Sequence, residues 1–263
     1  MFSVDDVDID DDRSSTSTQA QQVLSSSQLN EALIEAVCEG SILKVESLLD
    51  QHADIHTRTR ATRETPLHLA SKHGDLQCIE LLLDRQADVN AHNHWHETPL
   101  HVASKHGHHQ CIELLLDRHA DVDTGAGSAY TPLHVASKNG HNQCIELLLD
   151  RHADINARSC ASFTPLHLAS KNGHHQCIEL LLDRHANINA RCWYSFTPLH
   201  LASKNGHHQC IELLLDRHAN INIRSWYSIT PLHDASSNGH RQCIELLIDH
   251  GADKSIINVR LVS

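Results

Sequence analysis

Residues 164–174 read TPLHLASKNGH, and this stretch recurs along the chain at a fixed distance. Its first four residues, Thr-Pro-Leu-His, start every 33 residues, at Thr65, Thr98, Thr131, Thr164, Thr197 and Thr230. A weaker copy starts at Glu31, with Leu33, Ala36 and Gly40 in the matching places. Self-similarity at a period of this length is the signature of a repeat architecture. The sequence therefore predicts seven units, which start near residues 31, 65, 98, 131, 164, 197 and 230.

Each unit is predicted to form two short helices and a loop. In the unit that starts at Thr65, this residue is a good N-cap, Pro66 suits the first helical position and Gly74 ends the helix. The second helix is expected over Gln77 to Asp84. Its inward face consists of Cys78, Ile79, Leu81 and Leu82. Two helices this short cannot bury their apolar sides alone, so the units are expected to stack.

The repeated motif closely resembles the ankyrin repeat. The resemblance rests on TPLHLASKNGH at residues 164–174, on IELLL at 178–182 and on ANINA at 186–190, and it covers residues 31–263. It implies an all-α repeat fold, an ankyrin-type α-solenoid of stacked helix-turn-helix units whose connecting loops project as β-hairpin-like fingers. It also implies a non-enzymatic module that binds a partner protein through a concave face of fingers and first helices and needs no cofactor.

Two glycines that are usual in the ankyrin family are replaced in this chain. The residue before the Ala-Asp or Ala-Asn pair is His52, Gln86, His119, His152, His185 or His218, with glycine only at Gly251. Two residues before each Thr-Pro stand Arg63, His96, Ala129, Ser162, Ser195 and Ser228. A non-glycine residue at positive φ costs on the order of 1 kcal/mol. We therefore expect helix ends and fingers that are looser than in an idealised array.

Composition and charge argue against several classes of function. The 263 residues carry a net charge of −12 with neutral histidine, whereas a general nucleic-acid binder needs a surplus of Lys and Arg. No apolar run is long enough to span a membrane, and the N-terminus lacks the pattern of a secretory signal. The nine cysteines are an odd number and fit reduced thiols. We expect a soluble protein of the cytoplasm or the nucleus, and the sequence leaves its oligomeric state open.

The two ends of the chain differ from the repeats. Residues 1–30 combine six aspartates, all within residues 5–12, with a Ser/Thr/Gln tract, and this composition predicts an acidic disordered tail. The aspartate spacing is faintly similar to a calcium loop, but the glycine and the closing glutamate of an EF-hand are missing. At the other end, residues 256–262 are mostly apolar and either fold over the last unit or contact another chain.

The 26 histidines raise the question of a metal site, because His108-His109-Gln110-Cys111 recurs in later units. Zinc needs four converging ligands, whereas the helical pattern points Cys111 into the core and makes adjacent histidines diverge. We therefore predict no metal site. In the ankyrin family the imidazole of the Thr-Pro-Leu-His motif hydrogen-bonds the backbone of the neighbouring loop. By resemblance this role falls to His68, His101, His134, His167, His200 and His233, and protonation of such buried rings predicts destabilisation below about pH 6.

Catalysis is not supported by the pattern. A nucleophile, its base and an orienting group must meet in one cavity, and such roles do not repeat every 33 residues. No glycine-rich phosphate loop or zinc-protease helix signature is present. We predict no catalytic residue and no enzyme.

The aromatic residues are few and are concentrated in the predicted fingers. Apart from Phe2, all lie within the four residues before a Thr-Pro, namely Trp95, Tyr130, Phe163, Trp193, Tyr194, Phe196, Trp226 and Tyr227. Exposed Trp and Tyr are typical binding anchors. For Tyr130, Phe163 and Phe196, which directly precede the threonine, inward packing between fingers is an equal alternative.

A row of lysines near the ends of the first helices supplies the second half of the predicted binding surface. This lysine row consists of Lys72, Lys105, Lys138, Lys171 and Lys204. The resemblance places partner contacts at these positions and at the finger tips, so a protein or peptide with acidic and apolar groups is expected. A solvated charge row is the alternative. Glu80, Asp84, Arg85 and their copies, on the outer face, are interpreted as solubilising charge.

Two roles remain open for such a module. It acts as an adaptor, scaffold or inhibitor that holds one partner, or it recruits substrates to a ubiquitin ligase or another enzyme. The second role normally needs a further recruitment module, and only ten residues follow Asp253. A further hypothesis, from a known modification position of the family, is hydroxylation of Asn90, Asn156, Asn189 and Asn222.

Overall fold

The computed structural model describes residues 24–254, and in this range the chain forms seven helix pairs without a β-strand. The seven predicted units and the all-α repeat fold are confirmed. The helices are α1 (Ser26–Cys38), α2 (Ile42–Asp50), α3 (Pro66–His73), α4 (Leu76–Asp84), α5 (Pro99–His106), α6 (His109–Asp117), α7 (Pro132–Asn139), α8 (Asn142–Asp150), α9 (Pro165–Asn172), α10 (His175–Asp183), α11 (Pro198–Lys204), α12 (His208–Asp216), α13 (Pro231–Ser237) and α14 (Arg241–Asp249). A short 3-10 turn covers Trp193–Ser195.

The first helices begin as the sequence predicts. In α3 the Thr65 side chain caps the helix and Pro66 takes the first helical position, where its missing N–H needs no partner. The helix ends at Gly74 with φ 73°, in the left-handed region that glycine adopts without strain. The later first helices repeat the threonine cap and the proline. The local sequence therefore sets where each first helix starts.

The predicted boundary of the N-terminal tail is wrong by several residues. Helix α1 already begins at Ser26, inside the stretch 1–30 that the composition assigned to a disordered tail. Ser25 and Gln28 form a capping box, and Leu29 packs against the core together with Leu33. The Asp-rich residues 5–12 and the apolar residues 256–262 lie outside the described range.

The core is one continuous row of small and branched apolar side chains along the stack. Cys78, Ile79 and Leu82 of α4 are fully buried, whereas Leu81, which was also expected to point inward, is only half-buried. Neighbouring first helices pack more closely on one another than neighbouring second helices do. The stack therefore curves toward the first helices, which makes their side the concave face.

The loops between units form fingers that hydrogen-bond to one another. Within one finger the Asn93 N–H donates to the Glu97 carbonyl at 3.0 Å, which closes a hairpin-like turn. Between fingers the Gly127 N–H donates to the Trp95 carbonyl at 3.0 Å. Equivalent bonds join Trp193 to Ala161 and Trp226 to Tyr194. The fingers thus form a continuous rim along the concave face.

The positions where the family usually has glycine adopt positive φ without glycine. All twelve non-glycine residues singled out from the sequence have φ between 55° and 67°, with Arg63 and Ala129 at the lower limit and His52 and His185 at the upper limit. Tyr194 joins them with φ 59°. The chain holds these strained residues because the hydrogen bonds of the fingers and helix ends fix the backbone around them. The expected looseness of these segments stays a prediction.

Candidate functional site

The motif histidines tie each first helix to the next finger. The Thr98 N–H donates to Nδ1 of His101 at 3.2 Å, so this ring carries its proton on Nε2 and donates it to the Tyr130 carbonyl at 2.9 Å. The same arrangement occurs at His68, His134, His167 and His200. In His233 the bond to Thr230 is present, but no acceptor for Nε2 lies in the described part of the chain.

These rings are held neutral by their surroundings. Burial lowers the pKa of His101, His167 and His200 to about 4, and it also lowers the pKa of His68 and His134. The hydrogen bond to the carbonyl opposes the shift only in part. A proton on Nδ1 would also face the Thr N–H that now donates to it. Protonation of these rings therefore breaks the link between helix and finger.

A second row of histidines, which begins at His108 in the motif for which the sequence predicts no metal site, joins successive units. Nε2 of His108 donates to the Lys72 carbonyl at 3.1 Å, and the ring lies against Gly74. A Cβ on Gly74 would come within 2.7 Å of Nδ1 of His108. The same contacts recur at His141, His174, His207 and His240. The signal in the sequence is that each of these histidines directly follows the helix-ending glycine.

The lysine row lies on the concave face and is largely free of intramolecular partners. All five side chains are exposed on the last turns of the first helices. Lys105 lies 4.0 Å from Glu97, and the Lys204 ammonium lies 5.9 Å from the centre of the Phe196 ring. Among residues 24–254, no carboxylate lies within 4.0 Å of Lys72, Lys138 or Lys171. The row therefore leaves most of its positive charge exposed to solvent.

Three of the predicted aromatic residues pack inward. Tyr130, Phe163 and Phe196 are half-buried. Each ring contacts the motif histidine of its own unit, with ring centres 5.4–5.9 Å apart. This matches the alternative that the sequence left open for them. Their direct role in partner binding stays a prediction.

The remaining finger residues are exposed, and four of them form one group. Tyr194 stacks on Trp193 with ring centres 5.6 Å apart and contacts Trp226 and Tyr227 in the next finger, each at 5.8 Å. Trp226 and Tyr227 keep 67% and 68% of their surface exposed. We call Trp193, Tyr194, Trp226 and Tyr227 the aromatic cluster. The exposure expected from the sequence is confirmed, whereas the contacts between the rings required the structure.

Trp95 lies apart from the aromatic cluster, near the N-terminal end of the rim. An open depression of about 430 Å³ lies between its finger and the next one. Trp95, Tyr130 and Lys105 line this depression, together with Glu97. The structure thus brings three of the predicted site residues into one place, where an apolar group and a negative charge could bind side by side.

The repeat cysteines belong to the core, as predicted. Cys78, Cys111 and their four copies are at most 2% exposed. Burial raises the pKa of the Cys78 thiol to about 12 and that of Cys111 to about 11, so both thiols are unreactive near neutral pH. In residues 24–254, His, Cys, Asp and Glu side chains form no group of three or more that could hold a metal ion.

The outer charges do more than keep the protein in solution. Nη1 of Arg118 lies 2.8 Å from Oδ1 of Asp84 in the preceding unit. We call the following the arginine row, in which every member makes this contact at 2.7–2.8 Å: Arg85, Arg118, Arg151, Arg184 and Arg217. The interpretation of these residues as purely solubilising charge is therefore wrong, because they bridge adjacent units.

Asparagines at the base of the fingers also bridge units. Oδ1 of Asn156 accepts a hydrogen bond from the Asn187 N–H at 2.9 Å. Asn90, Asn189 and Asn222 accept equivalent bonds from the next unit. These side chains thus have a structural role, and their hydroxylation stays a prediction.

Asp234 sets the last unit apart from the others. It replaces the Leu or Val that this position has in the five preceding units, from Leu69 to Leu201, and its Oδ2 is buried without a hydrogen-bond partner in the described residues. Burial raises the pKa of the Asp234 carboxyl to about 7, although the nearby Lys204 opposes the shift. The sequence marked this substitution but did not predict an unpaired buried carboxyl.

The stack of helix pairs with a rim of fingers defines a repeat protein that presents an extended binding face. The family of ankyrin repeats (3 copies) matches residues 33–126, 118–192 and 190–258. The chain therefore belongs to the ankyrin repeat family, whose repeats are protein–protein interaction modules. No helix in residues 24–254 has the length and apolar character needed to cross a lipid bilayer.

Known proteins share parts of the sequence and most of the fold. An ankyrin repeat and KH domain-containing protein of Caenorhabditis briggsae is 33% identical over 66 residues, which are 24% of this chain and 2% of that protein. An ankyrin repeat protein of fowlpox virus (strain NVSL) is 43% identical over 61 residues, or 23% of this chain and 15% of the viral protein. The chain thus matches only a small part of either relative.

A solved structure covers more of the chain. The crystal structure of the human ASB11 ankyrin repeat domain superimposes with a TM-score of 0.76 at 28% sequence identity. The superposition covers 84% of this chain and 98% of that domain.

Proposed function

We propose that this chain is a non-enzymatic adaptor, scaffold or inhibitor that binds a partner protein through its concave face. The observation that carries the proposal is the aromatic cluster, four exposed rings on two adjacent fingers in which Tyr194 contacts the other three. Large exposed apolar groups that a fold does not need for its core mark interaction sites. Trp and Tyr are the residues most enriched among binding hot spots, because they bury much area and lose little conformational entropy.

The charge next to the cluster indicates what kind of partner fits. Lys204 lies near Phe196, at the base of the finger that carries Trp193 and Tyr194. Lys171 stands one unit away and has no carboxylate partner within 4.0 Å among the described residues. A partner segment that combines apolar side chains with carboxylates would bury the former on the rings and pair the latter with the lysines.

We also propose that the protein works in a reducing compartment, the cytoplasm or the nucleus. All nine cysteines are free thiols, and six of them are buried repeat positions that no neighbouring cysteine bridges. Free cysteines at this density are unusual in oxidising compartments.

The proposal is tested by capture of partners from the native cell with the tagged full chain. Replacing all four residues of the aromatic cluster by alanine is expected to remove the captured partner, while the helical content measured by circular dichroism stays unchanged. The matched control carries alanine at four exposed glutamines of the second helices, Gln77, Gln110, Gln143 and Gln209.

The control variant is expected to capture the same partner as the unmodified chain. If the aromatic variant captures it equally well, the interface lies elsewhere. Mass spectrometry of the captured material separates the two roles. A single stable partner supports the adaptor or inhibitor, whereas ligase subunits would support the alternative of substrate recruitment.

A further inference from the structure

We propose that residues 2–12 of this chain bind to its own concave face, over the first helices α3, α5 and α7. These residues, called the acidic segment below, lie outside the described range. The inference deepens the proposed function and rests on it, because it assigns a ligand that belongs to the chain itself to the same face.

The acidic segment has the composition that the concave face is suited to bind. Its sequence is FSVDDVDIDDD, in which Phe2, Val4, Val7 and Ile9 alternate with six aspartates. Six of the 33 acidic residues of the chain are thus concentrated in eight positions, interleaved with apolar side chains. This combination of carboxylates and apolar groups is the partner chemistry inferred above from the lysine row and the finger aromatics.

The receiving surface has unsatisfied positive charge and an apolar depression. Lys72 and Lys138 have no carboxylate within 4.0 Å among residues 24–254, in contrast to the arginine row on the outer face, where every guanidinium is paired. Between these two lysines lies the depression lined by Trp95, Tyr130 and Lys105. An apolar residue of the segment can enter it while flanking aspartates pair with the lysines.

The length of the connecting chain decides which lysines the segment can reach. Residues 13–23 join it to the described region, and a chain of eleven residues spans at most about 36–40 Å. Stacked helices lie about 8–10 Å apart. Helices α3, α5 and α7 follow α1 at one, two and three such steps, whereas α11 with Lys204 follows at five. The connecting chain alone therefore brings Asp12 to Lys72, Lys105 and Lys138, whereas the five steps to Lys204 exceed its length.

A ligand held on the same chain competes with an external one. A short tether produces effective concentrations in the millimolar range, so even a weak intramolecular contact keeps the site occupied. An external partner of similar chemistry then finds only a fraction of the sites free, and its apparent affinity falls in proportion to that free fraction. The acidic segment would act as an internal competitor for the N-terminal half of the concave face and leave the aromatic cluster open.

The first test is carbodiimide cross-linking of the full chain, which joins a carboxylate to an amine only where the two are in contact. We expect cross-links from Asp5–Asp12 to Lys72, Lys105 and Lys138, and their loss in 1 M salt, which screens such contacts. The internal reference is Lys44, which lies on the second helix α2 and forms an ion pair with Glu39 at the end of α1. Equal cross-linking to Lys44, or cross-linking to none of these lysines, would overturn the proposal.

A mixture of unlabelled and 15N-labelled chains separates the two possible sources of the segment. If the segment binds within its own chain, both peptides of each cross-linked pair are unlabelled or both carry 15N, which is the expected result. Mixed peptides in the proportion given by random pairing would show binding to a second copy and would overturn the intramolecular assignment.

The second test measures competition with a fluorescent peptide of residues 1–13. The peptide is expected to bind about tenfold more tightly to a full chain whose six aspartates are changed to asparagine than to the unmodified chain, because the internal competitor is weakened. Adding Lys72→Gln, Lys105→Gln and Lys138→Gln to the asparagine variant should abolish binding, whereas adding Lys44→Gln should not change it.

Equal peptide affinity for the asparagine variant and the unmodified chain would overturn the proposal, as would binding that survives the three lysine substitutions. These outcomes can be distinguished from a failure of the proposed function. Partner capture that depends on the aromatic cluster could persist without any binding of the segment, and the cross-links could form in a chain that captures no partner through the cluster.

Discussion

The arginine row and the lysine row carry the same charge, repeat with the same period and differ in what they contact. Every arginine of the row lies 2.7–2.8 Å from an aspartate of the preceding unit. Among the described residues the lysines lie in the open, with one distant carboxylate at Lys105. One row therefore holds the units together, and the other is free to bind a ligand.

The two rows differ in their contacts because their side chains have different chemistry and because the backbone carbonyls of the lysines already take part in the stack. Arginine presents a rigid fork that suits a carboxylate at fixed distance, whereas lysine is a flexible point charge. The Lys72 carbonyl is already bonded to His108, so the lysine row contributes its main chain to the stack and leaves its side chains free. The main chain of each lysine therefore supports the stack, while its side chain stays available for the proposed binding.

Acidification is expected to have the largest effect on stability, because protonation of the motif histidines weakens the links between the first helices and the fingers. The folded-state pKa of His101, His167 and His200 is lowered to about 4, against about 6.5 in the unfolded chain. Their stabilisation is complete above pH 6.5 and is lost as the pH falls toward 4. Between pH 7.5 and 5.5 the three rings together lower the unfolding free energy by about 3–4 kcal/mol, and protonation of the buried Asp234 carboxyl, whose pKa is raised to about 7, offsets about 2 kcal/mol of this loss.

Urea unfolding at pH 7.5, 6.5 and 5.5 checks this prediction. The variant His101→Gln, His167→Gln should be less stable at pH 7.5 but should depend less on pH than the unmodified chain. Unfolding midpoints that do not change between pH 7.5 and 5.5 would contradict the assignment of these rings as neutral links.

Substitution of a helix-ending glycine breaks the support of the lysine row at one unit. In Gly140→Ala the new Cβ would lie 2.8 Å from Nδ1 of His174, in addition to the strain of φ 80°. Gly239 is the matched control, since it has a similar φ of 71° and no atom of the described residues within 4 Å. We expect a loss of about 2–3 kcal/mol at Gly140 against about 1 kcal/mol at Gly239, measured by denaturant unfolding. Equal losses would mean that the histidine contact adds nothing.

The smallest effect on stability is expected from single substitutions in the arginine row and the lysine row, which test the different roles of the two rows. Arg151→Gln removes contacts to Asp117 at 2.8 Å and to Glu113 at 3.8 Å and is expected to lower the unfolding free energy by about 0.5 kcal/mol, less at high salt. Lys138→Gln should leave the unfolding free energy unchanged and weaken ligand binding instead. A lysine variant that destabilises the fold as much as the arginine variant would remove the distinction between the two rows.

The sequence was sufficient for the elements that local chemistry specifies. Thr65, Pro66 and Gly74 determine the bounds of a first helix, and the period of such residues fixes the number of units. Exposure of Trp193 and Trp226 also followed from position alone, since residues near a finger tip have little around them. The capping box of Ser25 and Gln28 was present in the sequence as well, but the surrounding polar composition concealed it.

Contacts between units were harder to predict, because in many of them one of the two bonded atoms belongs to the backbone. His108 bonds the carbonyl of Lys72, 36 residues earlier, and no side-chain pattern marks a carbonyl as an acceptor. The pair Arg118 and Asp84 was visible as two charges, but their approach depends on how the second helices stack. The contact of Tyr194 with Trp226 likewise depends on the angle between adjacent fingers.

The two histidine rows also make the stability of the units differ along the stack. Each unit is joined to its neighbours by bonds that need the next unit, so unfolding propagates from the ends by nearest-neighbour steps. Within the described residues, His233 finds no carbonyl for its Nε2 and Gly239 has no imidazole against it. At the other end of the described range, no ring of either row bonds to α1 or α2, because the first bonds of the two rows are those of His68 and His108. Both terminal helix pairs therefore have fewer histidine links than the central units, and their amide hydrogens should exchange with solvent first.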